Sequence, residues 1–476
     1  MRNVRMAIAG AAATAIALSM VGLSTAAQAQ SAGTALLGSD PTVAAGVETA
    51  FNLPSCSGGA TVSSVTSSPA LPNGATGAVQ PVINGSKSKL AGDWPPPSPS
   101  TYTVTVHCSS GSTLNATVKV TAAPANSDAV GVGSDTIQNI MDQFSADYNA
   151  KLGATATTHL YSWDATNPNT GAIGDTIQEK IGCSPIARPD GSSAGISQLI
   201  TFTKSSTGQL CTSFARSSRP RSPSDPPYAA GGVAFVNLAG DAVTWSTQAV
   251  TNAPASLTPA QLAGIYNCTI TDWGQVGGVS GQPIHAFIPQ SGSGTAKFFL
   301  SAIGVATPGS CVSSANNTLE ENEGVNPVLH DPNAIFPYSI GKYISQKFFS
   351  ATCSNSSCTP TNGIACTPSG TQNLFGCNTH GTMVLKQING IAPTTGSGKK
   401  TVINSAFPAT FQRTLFAVVP WDPATADHIP GPTNPVGGVN LESIFGASGF
   451  ICKNTVAKTD LVHYGFLVIP TCGLTS

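Results

Sequence analysis

Polar and apolar residues alternate from Tyr102 to Cys108, with Val104 and Val106 set between Thr103, Thr105 and His107. That period of two is the mark of a half-buried strand. A turn at 109–112 contains Gly111, after which Leu114, Ala116, Val118 and Val120 alternate again. The pair predicts a β-hairpin, and residues 30–124 predict a small all-β unit. Residues 122–128 (Ala-Ala-Pro-Ala-Asn-Ser-Asp) then predict a linker.

From Ala129 the period changes. Val130-Gly131-Val132-Gly133 ends a short strand, and Ile137, Ile140, Met141, Phe144 and Tyr148 fall on one helical face. Asp135 and Gln138 are spaced as a capping box, and Asp175 and Gln178 repeat the signal, predicting another helix start. A buried strand is predicted over 231–238. Thr258, Pro259 and Gln261 open a helix whose inner face is Leu262, Ile265 and Tyr266. A strand at 334–336, a helix at 339–348, a strand at 414–419 and a late helix from 441 follow. Strands alternating with helices predict an α/β architecture.

One stretch carries chemistry as well as structure. Residues 286–300 read as strand, tight loop and helix, with Gly292-Ser293-Gly294-Thr295 at the join. Ser293 or Thr295 can cap the helix, and the two glycines let backbone N–H groups approach a ligand. A helix N-terminus is partly positive, so the loop is a candidate anion socket. It is not a Walker loop, because no Lys-Ser or Lys-Thr pair follows at the required spacing.

Composition narrows the picture. Of 476 residues only 9% are charged, the formal net charge is −1, and no basic stripe is present. Nucleic acid and anionic membranes are therefore poor partners. Residues 1–29 predict a secretory signal: Arg2 and Arg5, an apolar run over 6–23, and Ala27-Gln28-Ala29 as cleavage site. The first Cys is Cys56, so no lipid anchor is expected at the cleavage point, and no later run is long enough to span a bilayer. The expected location is periplasmic or extracellular.

Twelve Cys in an exported chain point to disulfides. Neighbours in order would pair as Cys56–Cys108, Cys183–Cys211, Cys268–Cys311 and Cys452–Cys472. Cys353, Cys358, Cys366 and Cys377 would form two more bridges of open connectivity. A zinc site from these four is the lesser alternative, since they lack a close C-x-x-C pair.

Catalytic patterns are weak. Gly191-Ser192-Ser193-Ala194-Gly195 fits a nucleophile elbow, but Ala187-Arg188-Pro189-Asp190 stands where an apolar strand is needed. The seven His show no ligand spacing. Glu320, Glu321 and Glu323 read as a solvated loop before Gly324. Neither enzyme chemistry nor a cofactor is expected.

Four segments together resemble the phosphate-binding solute receptors of ABC importers. They are residues 131–136 (Gly-Val-Gly-Ser-Asp-Thr), residues 257–273 through Ile270-Thr271-Asp272-Trp273, the Gly292–Thr295 loop, and residues 336–341 (Phe-Pro-Tyr-Ser-Ile-Gly). The resemblance covers about 129–476. It implies a two-lobed, periplasmic-binding-protein-like fold, with lobe one at about 129–245 plus 410–476 and lobe two at about 255–405. The solute-binding part would begin at 125. The all-β unit is similar to an immunoglobulin-like sandwich, with Cys56 and Cys108 bridging its sheets and Trp94 in a Pro-rich loop rather than on a central strand.

Carried onto this chain, the family's ligand contacts fall on Ser134, Asp135 and Thr136, on Ser192 and Ser193, and on Ser293, Gly294 and Thr295. Its Asp-bearing loop falls on residues 213–219, where Ser218 replaces the Asp, and its clamping Arg position is Pro289. Arg188, Arg216, Arg219, Arg221 and Arg413 are the only Arg residues after the signal. Arg216 and Arg219, flanked by Ser217 and Ser218, are the expected source of compensating charge. The implied partners are a small anionic, phosphate-like solute and an importer permease. Weak discrimination between phosphate and sulfate is expected. An adhesin or scaffold reusing the fold is the alternative.

Overall fold

The computed structural model describes residues 42–44, 48–71, 79–94, 100–152, 158–167, 173–349, 379–432 and 439–476. The signal predicted at 1–29 and the bridges expected among Cys353, Cys358, Cys366 and Cys377 lie outside them.

The predicted hairpin forms as strands Thr101–Cys108 and Thr113–Thr121, with Tyr102 opposite Val118 and Val104 opposite Ala116. It joins Thr42–Ala44 and Val62–Ser68 in a four-stranded sheet. Glu48–Asn52, Lys87–Asp93 and Gln80–Asn84 make a three-stranded sheet. Leu53, Leu90, Trp94, Val104, Val106 and Val118 share one core. Trp94 is fully buried there, edge-on to Tyr102 with ring centroids 4.7 Å apart. Its burial follows from its place directly after Lys87–Asp93, which turns the ring inward. Cys56 lies in the loop after Glu48–Asn52 and is bonded to Cys108 at a strand end.

The rest is a mixed α/β fold in two lobes. An eight-stranded sheet runs in the order His285–Ala286, Ala334–Ser339, Val233–Gln248, Gln412–Pro420, Phe214–Ser217, Ala129–Gly133, Leu160–Ser162, with Met383–Leu385 also paired to Val233–Gln248. Val233–Gln248 is the spine. Residues 233–242 pair with Gln412–Pro420, and residues 243–246 pair with Ala334–Ser339. The core changes over inside this strand. Ala234, Val236 and Leu238 pack with Met141, Phe144, Phe214, Leu415 and Phe445. Val243 and Trp245 pack with Leu262, Tyr266, Trp273, Phe299 and Ile344. Two cores joined by one strand define the two lobes.

Local signals decide most of the helices. Thr258 closes a capping box with Gln261 ahead of Pro259–Tyr266, and Ser339 caps Ile340–Phe348. Two expected caps do not form. Gln138 begins Gln138–Leu152, but its carboxamide oxygen accepts from Ala165 N at 2.8 Å. Thr176–Ile177 is a strand paired with Ile186–Ala187, not a helix start. Asp175 is drawn instead into an ion pair with Arg188, at 2.5 and 3.1 Å.

The four expected neighbour disulfides within the described residues are present: Cys56–Cys108, Cys183–Cys211, Cys268–Cys311 and Cys452–Cys472. Peptide mapping under non-reducing conditions should recover these four pairs, and finding any of them as free thiols in freshly purified protein would contradict the structure. Each bridge should contribute about 2–4 kcal/mol. Among the described residues, no helix is long and apolar enough to cross a membrane.

Candidate functional site

Three segments meet where the two lobes face each other. The first is the loop after strand Ala129–Gly133. Gly133 has φ +115°, and Ser134 N bonds to Arg216 O at 3.2 Å. Arg216 lies fully buried beneath this loop and donates to Ser134 O at 2.9 Å, Gly133 O at 2.8 Å and Trp163 O at 2.7 Å, and also to Ser162 Oγ. Its guanidinium is therefore consumed in holding three carbonyls and one hydroxyl.

The second segment is the N-terminus of helix Gly294–Ala302. Ser293 is its N-cap and accepts from Ala296 N at 3.0 Å. A side chain at Gly294 would collide with the hydroxyls of Ser192 and Ser218, so only glycine permits this approach. Gly191, at φ +83°, starts helix Gly191–Leu199 in contact with Gly292. Ser193 N then bonds to Gly292 O at 3.1 Å. Ser192 Oγ lies 3.2 Å from Ser218 Oγ and accepts from Ser218 N at 3.0 Å.

The third segment was read from sequence as solvated and is not. Glu320 and Glu321 are buried at 4% and 2% exposure. Glu321 puts its carboxylate between the two loops. Oε1 accepts from Thr136 Oγ1 at 2.8 Å, Thr136 N at 3.2 Å and Ser134 Oγ at 3.3 Å. Oε2 accepts from Thr295 N at 3.0 Å and from Ser293 Oγ. Glu321 can be buried in its charged form here because neutral donors from two loops, and one nearby cation, replace its lost hydration.

That cation is Arg413, not Arg216 or Arg219. Arg413 donates to Thr295 Oγ1 at 3.0 Å and Ser218 O at 2.9 Å, and its other nitrogens grip Asp241 Oδ2 at 2.9 and 2.8 Å. Arg219 is paired with Asp225 at 2.6 and 2.9 Å and lies 3.3 Å from Ser193 Oγ, which also accepts from Lys297 Nζ at 2.6 Å. Ser217 Oγ turns back to Arg219 O at 2.7 Å. The fold thus gathers Ser134, Thr136, Ser293 and Thr295 around one carboxylate, with Ser192, Ser218 and Gly294 packed beside them. Arg216, Ser217, Ser193 and Arg219 are engaged elsewhere.

The protonation pattern follows from burial. Burial alone would raise the Glu321 carboxyl, but its hydrogen bond with Asp135, the charge of Arg413 and the Ser293 and Thr295 donors bring it down to about 2. Asp135 is pushed well up by burial and by the Glu321 charge, so it carries the proton of the pair. Asp190 is raised to about 6 by burial and by Glu321, and Glu323 to about 7 by burial and by Asp190. Burial and Asp190 also raise Glu320 well above the ordinary range.

Comparison with known proteins matches residues 119–348 to the PBP superfamily domain. This part of the chain is similar to that domain. No curated protein matches the chain. Among solved structures, an ABC-type phosphate transport receptor from Vibrio cholerae is 19% identical, with a TM-score of 0.40 over 72% of this chain and 100% of that one. A putative phosphate ABC transporter substrate-binding protein from Clostridium perfringens is 14% identical, with a TM-score of 0.41 over 72% and 99%. PstS from Borrelia burgdorferi is 17% identical, with a TM-score of 0.35 over 71% and 98%.

Ser293 serves both as the cap of helix Gly294–Ala302 and as a donor to the Glu321 carboxylate. Ser293→Ala should lower stability by about 1 kcal/mol through the lost cap, read as a shift in the denaturant midpoint. A loss above about 4 kcal/mol would mean the hydroxyl holds more than the cap and one carboxylate bond.

Proposed function

We propose that this is an exported solute-binding protein, not an enzyme, that takes a small tetrahedral oxyanion of the phosphate class between its lobes and delivers it to an ABC importer. The supporting observation is the donor set: five N–H and O–H groups from two loops converge on a single pair of carboxylate oxygens. A site that satisfies both oxygens of a carboxylate from two sides suits the oxygens of a phosphate, because each lost water is replaced by a fixed donor. Arg413 supplies the charge. The signal read at 1–29 and the disulfides support export. The all-β unit, with its two sheets about one core, is proposed to be an immunoglobulin-like spacer.

The alternative is a scaffold that retains the fold without a solute. Its favouring observation is that Glu321 already satisfies the socket. Calorimetry on the full chain with inorganic phosphate, sulfate and simple organic phosphates separates the two. Heat on adding phosphate is expected, with sulfate measuring how far Ser218 and Pro289 relax discrimination. No heat with any anion, from either the natural chain or one lacking the Glu321 carboxylate, would leave the scaffold reading ahead.

A further inference from the structure

We propose that Glu321 is a tethered competitor: a carboxylate of the chain itself that must leave the socket before an external oxyanion can enter. The inference rests on the reading of the socket as an oxyanion site. It deepens that reading by naming the residue that sets its affinity.

The division of bonds is the first argument. Oε1 takes its donors from Ser134 and Thr136, and Oε2 takes its donors from Ser293 and Thr295. One carboxylate thus ties the loop after Ala129–Gly133 to the helix that starts at Gly294, the joint that a bound anion would make. The Arg413 guanidinium, bonded to Thr295 Oγ1, would face either occupant.

The second argument is where Glu321 sits. No helix or strand intervenes between Gly294–Ala302 and the short turn Pro327–Leu329, so Glu321 is carried on irregular backbone. The segment is anchored on both sides of it. Leu319 is fully buried with Leu329, Phe336 and Tyr338, and its carbonyl accepts from Gln290 N at 2.8 Å. Asn322 Oδ1 accepts from Ser339 N at 3.1 Å, and Tyr338 Oη donates to Asn322 O at 2.6 Å. A side chain between two anchors can leave without displacing a regular element.

The third argument is charge. Asp135, Asp190, Glu320 and Glu323 crowd the site and are already driven toward their neutral forms, Asp135 and Asp190 in part by the Glu321 charge, and Arg413 is already paired with Asp241. In such company a second anion cannot be added beside an ionised Glu321 at little cost. Exchange of one anion for another keeps the balance. A tethered group competes at the millimolar or higher effective concentration of a short linkage, and the apparent affinity falls by the fraction of molecules whose socket is open.

The test is titration of the full chain with inorganic phosphate by calorimetry, for the natural sequence, Glu321→Ala and Glu321→Gln. The alanine variant should bind about tenfold or more tightly than the natural chain, with glutamine between them. Phosphate, but not chloride, should also restore the melting temperature that the alanine variant loses. Binding by the alanine variant equal to or weaker than natural overturns the competitor and leaves the socket standing. Absence of heat from both chains, with native circular dichroism, overturns the oxyanion site itself. If the alanine variant does not fold, the near-isosteric glutamine variant carries the same comparison. Unchanged affinity there overturns the inference.

Discussion

Asp241→Ala is expected to destabilise the protein by about 3–5 kcal/mol, the usual cost of stranding one member of a buried ion pair. The side chains of Asp241 and Arg413 are both fully buried, 2.8 Å apart. Asp241 also accepts from Ser339 Oγ at 2.8 Å and Gly341 N at 3.0 Å, so its loss leaves two donors and two guanidinium nitrogens without these acceptors and the Arg413 charge without its partner. Arg413 would then be released from the position that reaches Thr295 and Ser218, and any anion affinity should fall with stability. Urea unfolding of Asp241→Ala, Arg413→Met and the double variant measures this. The double variant should lose less than the sum of the singles, because it leaves no unpaired charge. A loss below about 1 kcal/mol in Asp241→Ala would mean that water reaches the pair.

The second large effect is on pH. Asp190 at about 6 and Glu323 at about 7, with Asp135 and Glu320 also raised, hold protons more tightly in the folded chain than in the unfolded one. Their contribution is complete below the unfolded carboxyl pKa near 4 and is lost as pH climbs through 6 and 7. Glu321, lowered to about 2, works in the opposite sense, contributing above the unfolded value and losing that contribution as pH falls toward 2. His380, lowered to about 4 mainly by burial, also costs stability as pH falls from 6.5 to 4. The melting temperature should therefore peak in mildly acidic solution and decline by pH 8. With about 1.4 kcal/mol per pKa unit, the decline amounts to several kcal/mol. Calorimetric scans from pH 3 to 9 give the profile, and a flat or rising profile from 5 to 8 would refute the buried-acid account.

Much of the architecture could be read from local patterns. The hairpin over Thr101–Thr121, the caps at Thr258, Ser293 and Ser339, and the disulfide neighbours all declare themselves within short windows. What the windows hid was long-range pairing. The strand expected over 231–238 continues to Gln248, because Asp241, Thr244 and Ser246 are polar yet buried, each satisfied by a distant partner. Arg413 was visible as one of few Arg residues, but its role depends on lying opposite Asp241 in the sheet. Arg216 looked like a ligand-binding Arg because its neighbours are hydroxylic, yet the carbonyls of Gly133 and Ser134 hold it. Glu321 was the hardest to read. A run of acids is ordinarily solvated, and only the convergence of two loops from elsewhere in the chain makes its burial affordable.

The strand Val233–Gln248 also constrains the order of assembly. Asp241 meets its partner Arg413 across 172 residues of chain, and Gln412–Pro420 must arrive before the first half of that strand has a neighbour on this side. During synthesis, a long apolar edge would wait while everything between the two strands is made. Pairing at such separation is slow to nucleate and leaves edges open to other chains. The molecule should therefore mature late and depend on holdase protection until residue 420 has emerged. Cutting it anywhere between 249 and 411 should yield two insoluble pieces rather than two working lobes.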